Sequence, residues 1–171
     1  MERVKRAVEL DTGSIRNSIS YMSIDRRLSG ILHVILHMAE GGRPVTSDAL
    51  ASHMGANPVQ VRRLMGGLRD AGLVRSARGP GGGWELARDL AAVTMRDVFA
   101  AIGSPPLFAI GHRSQNPSCL VEQSVNGALG TTLEEAEKFI LDRLGAISLA
   151  DIHAEFHRRA VAAGHALPEE Q

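Results

Sequence analysis

Cysteine is nearly absent from this chain: Cys119 stands alone among 171 residues. A single thiol closes no internal disulfide, which fits a protein kept in a reducing compartment. Long apolar runs are absent as well, and none approaches the ~18 residues of a membrane span. The apolar stretch at residues 31–38 is interrupted by His33 and His37 and lacks the layout of a signal peptide. These absences predict a soluble, cytoplasmic protein with no membrane partner. Net charge is absent too, with 19 basic and 19 acidic residues, so whole-chain charge says nothing for a nucleic-acid partner. Catalytic signatures are also missing. There is no phosphate loop, GxSxG elbow or HExxH pair, and the GPGGG at residues 79–83 is not a GxGxxG loop opening a helix. The sequence assigns no catalytic residue, no metal and no cofactor, and an enzyme is not expected.

What the chain has instead is an uneven distribution of charge. Residues 24–88 carry nine arginines against five carboxylates, whereas residues 89–171 carry six basic against eleven acidic groups. The length suits one domain, or one small domain with an oligomerisation extension, and is enough to bury a core without staples. The basic half is organised by residues 45–88. Thr46 is a good N-cap, Asp48 puts negative charge in the first turn, and Gly55 supplies a left-handed end. Asn57-Pro58 starts a second helix, with Gln60 spaced as in a capping box.

Val61, Leu64, Met65, Leu68 and Ala71 then form one apolar stripe, leaving Val59, Arg62, Arg63 and Gly66 on the opposite face. Gly72 ends this helix. Residues 73–78 and 84–88 can pair across the glycine-rich tip as a β-hairpin. Two short helices, a tight turn and a hairpin make a winged helix-turn-helix. Ahead of it, Leu28, Ile31, Leu32, Ile35 and Met38 mark a core-facing helix over residues 24–39. Behind it, Thr94 caps a helix carrying Met95, Val98, Phe99 and Ile102, which residues 103–106 (GSPP) stop.

The segment AGLVRSARGPGGGWELAR resembles the wing signature of the Rrf family of bacterial winged-helix regulators, the IscR/NsrR/CymR type. DRRLSGILHVILHMAEGG is similar to that family's first helix, VTSDALASHMGANPVQVRRLMGGLRDAG to its helix-turn-helix, and VTMRDVFAAIG to the segment after the wing. The resemblance covers roughly residues 23–152 in order and spacing. It implies a mostly α fold with a small β-hairpin wing and a C-terminal dimerisation helix. The implied organisation is a flexible leader over 1–22, a winged helix-turn-helix domain over 23–103 and a sensor-type loop region over 104–130. A dimerisation helix and amphipathic stretch would follow over 131–163, then a tail over 164–171. Met22 stands where members of the family commonly begin.

The function so implied is a homodimeric, sequence-specific repressor of transcription bound to double-stranded DNA at a palindromic operator, its effector unknown. A winged helix kept as a protein-interaction module is the alternative, disfavoured by Arg62, Arg63 and Arg78. The candidate DNA-binding residues are Arg26, Thr46, Asn57, Val59, Gln60, Arg62 and Arg63, with Arg78, Gly79, Gly81 and Gly82 at the wing. Arg62 and Arg63 suit guanine edges, and a wing arginine such as Arg75 or Arg78 suits the minor groove or its phosphates. Arg3, Lys5 and Arg6 offer a basic arm, set against a disordered leader. Trp84 is read as closing the wing against the body. The glycine pair Gly66-Gly67 weakens its helix and needs either tight packing or close approach of DNA to explain it.

Cluster-binding relatives carry three cysteines near position 119, and one cysteine excludes that ligation. A redox-sensing thiol remains, its pKa lowered if His112 and Arg113 fold back, with a buried inert cysteine as the alternative. Thr131 or Thr132 is expected to cap the last long helix, whose stripe of Leu133, Ala136, Phe139, Ile140 and Leu144 would meet a second subunit. Ser148 opens the final amphipathic stretch. His33 and His37, and again His153 and His157, stand at i, i+4, a spacing two metal ligands can use. Packing or hydrogen bonding is the preferred reading of the first pair. The second has Asp151 and Glu155 nearby.

Overall fold

A computed structural model of the chain describes residues 25–77, 79, 81–110 and 118–164. The proposed basic arm, Arg78, His112, Arg113 and His165 lie outside them. Among the described residues the architecture is mostly helical: α1 (Arg27–Gly41), α2 (Ser47–Met54), α3 (Pro58–Asp70), β1 (Val74–Ala77), β2 (Gly83–Leu86), a 3-10 turn (Leu90–Ala92), α4 (Met95–Ala101), α5 (Leu120–Gly145) and α6 (Leu149–Ala162). The two strands pair antiparallel in the register Val74 with Leu86 and Ala77 with Gly83.

Local chemistry accounts for the helix ends. Thr46 accepts a hydrogen bond from the Ala49 amide, Asn57 accepts one from Val59 at 2.8 Å, and Gly55 turns the chain at φ 57°. Asn57 caps alone, because the chain makes no box with Gln60. Thr94 and Asp97 close a full capping box on α4, and Ser148 and Asp151 do the same on α6.

The core gathers α1, α2, α3, the base of the wing and α4. Ile31, Val34 and Ile35 of α1 meet Leu50, Val61, Met65, Leu68 and Val98, all out of solvent. Val34 lies outside the stripe read from sequence because α1 is covered on more than one side, by α2, α4 and β2. Leu149, at the root of α6, is buried in the same core. Backbone bonds fix it there: Leu149 N–H donates to Val93 O at 2.8 Å, and Met95 N–H to Ile147 O at 3.0 Å. The last helix is therefore rooted in the winged domain.

Three expectations need correcting. The first helix runs two residues further than 39 and starts later than 24, at Arg27. The wing strand begins at Gly83, where a Cβ would sit 2.7 Å from the carbonyl carbon and oxygen of Val45, so a glycine serves here inside a strand. The long helix begins at Leu120, and Thr131 and Thr132 lie in its interior. Thr132 is accommodated because its hydroxyl donates to Ala128 O at 2.8 Å. Residues 120–130, expected within a loop region, are helical.

The Asp97 carboxyl is held below its ordinary range by the Thr94 backbone N–H and then by the Thr94 hydroxyl. A depressed carboxyl stabilises the fold above its unfolded pKa, and that contribution is lost as pH falls through the folded value. Asp97→Ala is expected to cost about 1 kcal/mol at neutral pH. In thermal unfolding the gap between variant and parent should narrow as pH drops toward 3. A gap independent of pH would show that the carboxylate charge is not what caps α4.

Candidate nucleic-acid interface

Helix α3 buries Val61, Met65 and Leu68, and this fixes which face looks outward. Val59 is 68% exposed, and Gln60, Arg62 and Arg63 are exposed beside it. A valine this accessible at a helix start contributes nothing to the core, so the face is apolar and cationic toward solvent. Gln60 and Arg63 line one wall of an open cleft of about 600 Å³, with Arg26, Arg27 and Gly30 of the α1 end and Ala101 to Gly103 opposite. Arg26, Gln60 and Arg63, named from sequence, therefore share one surface. Arg27 is occupied by Asp25, with Nε donating at 2.9 Å and 3.0 Å to its two oxygens. Arg62 turns toward Asp48 of α2, but at 3.9 Å between exposed groups the pair is weak.

Thr46 and Asn57 are exposed, yet each spends its side-chain oxygen on a helix cap. The caps use acceptor capacity and leave the Thr46 hydroxyl and the Asn57 amide able to donate, which is what a phosphate requires. At the wing, Gly79 and Gly81 take φ 98° and 78°, and Gly82 N–H donates to Gly79 O at 2.9 Å. Gly82 also sits against Ala77 O, where a side chain has no room. Arg75, largely exposed, pairs with its cross-strand neighbour Glu85 at 2.7 Å, a surface contact worth little in itself. Trp84 Nε1–H donates to Ser47 Oγ at 2.9 Å and its backbone bridges to Val45, so the wing is tied to the body by this residue.

The two glycines of α3 separate cleanly. Gly67 lies against the backbone carbonyl of Ala101, where a Cβ would sit well under 3.0 Å from the oxygen; Gly66 has nothing within 4 Å. Tight packing explains the first. It leaves the second unexplained by the fold, on the same outward face as Arg62 and Val59.

Cys119 is exposed at the N-cap position of α5 without a side-chain capping hydrogen bond. The backbone amides of Glu122 and Val121 favour its thiolate and lower its pKa. Along α5, Asn126 is the only buried residue. Leu133, Ala136, Ile140 and Leu144 are half-buried, whereas Phe139 is 67% exposed. Sequence reasoning began its stripe too late: Val121, Val125 and Leu129, also exposed, continue the Phe139 face toward the helix start. The i, i+4 spacing of those three residues was the available signal.

The histidine pairs are not core residues. His33 meets His37 edge-on along α1, with ring centroids 4.5 Å apart, and His37 stacks on His53 of α2 at 4.9 Å. Burial lowers the His37 pKa, as do the neighbouring His33 and His53, against an opposing effect of Glu40. His153 and His157 of α6 both direct Nε2 at Glu40 Oε1, the latter at 2.8 Å. Burial tends to raise the Glu40 pKa, but hydrogen bonds to His157 and His153 outweigh it and lower the net value. Asp151 and Glu155, the carboxylates that looked nearest in sequence, are used elsewhere: Asp151 in the α6 cap, Glu155 with Arg158 and Arg159.

Residues 24–155 match the model of the Rrf2 family, described as an iron-dependent transcriptional regulator. YwnA of Bacillus subtilis (strain 168), by name an HTH-type transcriptional regulator, is 31% identical over 130 residues, which span 75% of this chain and 96% of that protein. Among solved structures, IscR of T. potens superposes with a TM-score of 0.54 at 25% identity, covering 80% of this chain and 90% of its own. A transcriptional regulator from Lactobacillus plantarum reaches a TM-score of 0.66 at 21% identity, covering 81% and 95%, which speaks for the fold alone. The iron in the family description meets a poor donor set at the one cysteine. Iron–sulfur clusters are held by several thiolates, and Cys119 is the chain's single sulfur of that kind.

Proposed function

Because the chain belongs to the Rrf2 family of transcriptional regulators, which are not enzymes, we propose that it acts in the cytoplasm as a homodimeric, sequence-specific repressor on a palindromic operator. The observation that carries this is the outward face of α3, where exposed Val59, Gln60, Arg62 and Arg63 stand clear of the core beside a glycine-tipped wing. Helix α3 enters the major groove, Arg62 and Arg63 read base edges, and Arg26, Arg78 and the glycines of the wing meet the backbone and minor groove. The repressor works without an iron–sulfur cluster. Cys119 is its redox-responsive group, because the thiol is exposed and its thiolate is favoured at a helix start.

Selection of genomic DNA by the purified protein, run with and without a thiol oxidant, tests this directly. An enriched palindrome supports the dimeric regulator, and loss of binding on oxidation that Cys119→Ser abolishes supports the sensor. No enriched motif under either condition would favour a protein-interaction module instead. On the selected operator, Arg62→Ala is expected to relax preference at one base position, by about 1–3 kcal/mol of discrimination. Arg78→Ala should weaken all operators alike and shallow the salt slope by about 1. Identical effects of both changes on every operator variant would sink this division of labour.

A further inference from the structure

We propose that Glu40, His153 and His157 form a binding site for a divalent first-row transition cation, clamping α6 to the end of α1. Two imidazole nitrogens and one carboxylate oxygen are the donors, and all three lie within 4.8 Å of one another. The two histidines stand one turn apart on α6 and present the same atom, Nε2, to the same oxygen, Glu40 Oε1. Their convergence is tertiary: the carboxylate comes from a helix 113 and 117 residues away in sequence.

The donor chemistry narrows the occupant. Two imidazoles and a carboxylate hold Zn²⁺ with a position left for water, and the same trio on one face suits Fe²⁺. Magnesium and calcium prefer all-oxygen sets and are disfavoured here. Metal–ligand bonds of about 2.0–2.1 Å in tetrahedral geometry put donors about 3.3 Å apart. The His157 to Glu40 contact, at 2.8 Å, is a little closer than that. Insertion of the ion therefore needs His157 Nε2 and Glu40 Oε1 to part by roughly half an ångström, and His153 Nε2 to withdraw further, movements that rotation of these side chains can supply. Burial is intermediate, with 19% of the Glu40 side chain exposed, 24% of His153 and 33% of His157. An ion can reach the site from solvent and still bind in partly dehydrated surroundings.

Five of the chain's seven histidines fall into two groups served by α1, this one and the exposed trio His33, His37 and His53. The trio has no carboxylate among its ligand atoms and is more exposed, so charge neutralisation of a divalent ion favours Glu40. It is the natural competitor, and the test has to separate the two.

Chelator-treated full-length protein is titrated with Zn²⁺, and anaerobically with Fe²⁺, by calorimetry. One equivalent of at least one ion is expected to bind saturably, and to raise the unfolding temperature in proportion to the logarithm of free ion. Glu40→Gln, which keeps the side chain's shape, and His153→Gln/His157→Gln are each expected to weaken binding at least 100-fold and to abolish the thermal shift. His33→Gln/His37→Gln/His53→Gln should leave both intact. Absence of saturable binding to the parent protein overturns the site, whatever the variants do. So does binding that survives Glu40→Gln, or that disappears with the trio instead.

Discussion

Gly67→Ala is expected to be among the most damaging single-methyl additions to this chain, whereas Gly66→Ala next to it should stabilise the protein. Alanine in a helix interior is favoured over glycine by about 1 kcal/mol, and both positions gain that. At Gly66 nothing lies within 4 Å of the new carbon, so the gain stands. At Gly67 the new carbon meets the Ala101 carbonyl, a backbone group that cannot rotate aside. Either α3 or α4 must retreat, and overpacking of this kind costs roughly 1–3 kcal/mol or more. The retreat would reach Val61, Met65, Leu68 and Val98, which seal the contact between these helices. Net of the helix-propensity gain, and with about 2–4 °C lost per kcal/mol at this size, a fall in melting temperature of up to roughly 8 °C is expected for Gly67→Ala. A rise of about 2–4 °C is expected for Gly66→Ala. Equal shifts of the same sign at both positions would refute the packing account. If Gly66 is kept for close approach of DNA, the stabilised Gly66→Ala protein should bind its operator more weakly than the parent.

Those two glycines also mark the limit of what could be read without a structure. Their cost was visible in the sequence, but which carried a packing reason depended on α4, more than 25 residues away. Elements set by local chemistry were legible: Thr46, Asn57-Pro58, Thr94 with Asp97, and Ser148 each sit at the helix start they signalled. The start of α5 was not, because Gly127, Gly130, Thr131 and Thr132 together look like a break. The helix passes through them, and the Thr132 hydroxyl donates to the Ala128 carbonyl of the same helix. At the candidate interface, the outward face of α3 followed from periodicity alone. The pairing of Arg75 with Glu85 needed the strand register, and the meeting of Glu40 with His153 and His157 needed the docking of α6 on α1. Sequence proximity pointed to Asp151 and Glu155 instead, and the fold spends both on α6 itself.

Charging the outer face of α5 should separate the proposed dimer without unfolding its subunits. The helix is 26 residues long, roughly 39 Å, and its Val121, Val125, Leu129 and Phe139 are exposed along one side. An apolar row of about 27 Å on a helix with one buried residue does little for the chain's own core, and a second copy is the partner that the proposed two-fold operator calls for. Val125→Asp/Phe139→Asp places two carboxylates in each half of the interface, where desolvating them unpaired costs several kcal/mol. Because both side chains are exposed in the single chain, the winged domain should keep its circular dichroism and most of its stability. Sedimentation should report the monomer mass. Affinity for the full palindrome should fall by about 100-fold or more as two linked half-site contacts become independent, while an isolated half-site binds as before. A variant that still sediments as a dimer would place the interface elsewhere, on the half-buried side carrying Leu133, Ile140 and Leu144. A monomeric parent protein that binds the palindrome tightly would remove the need for an interface on α5 at all.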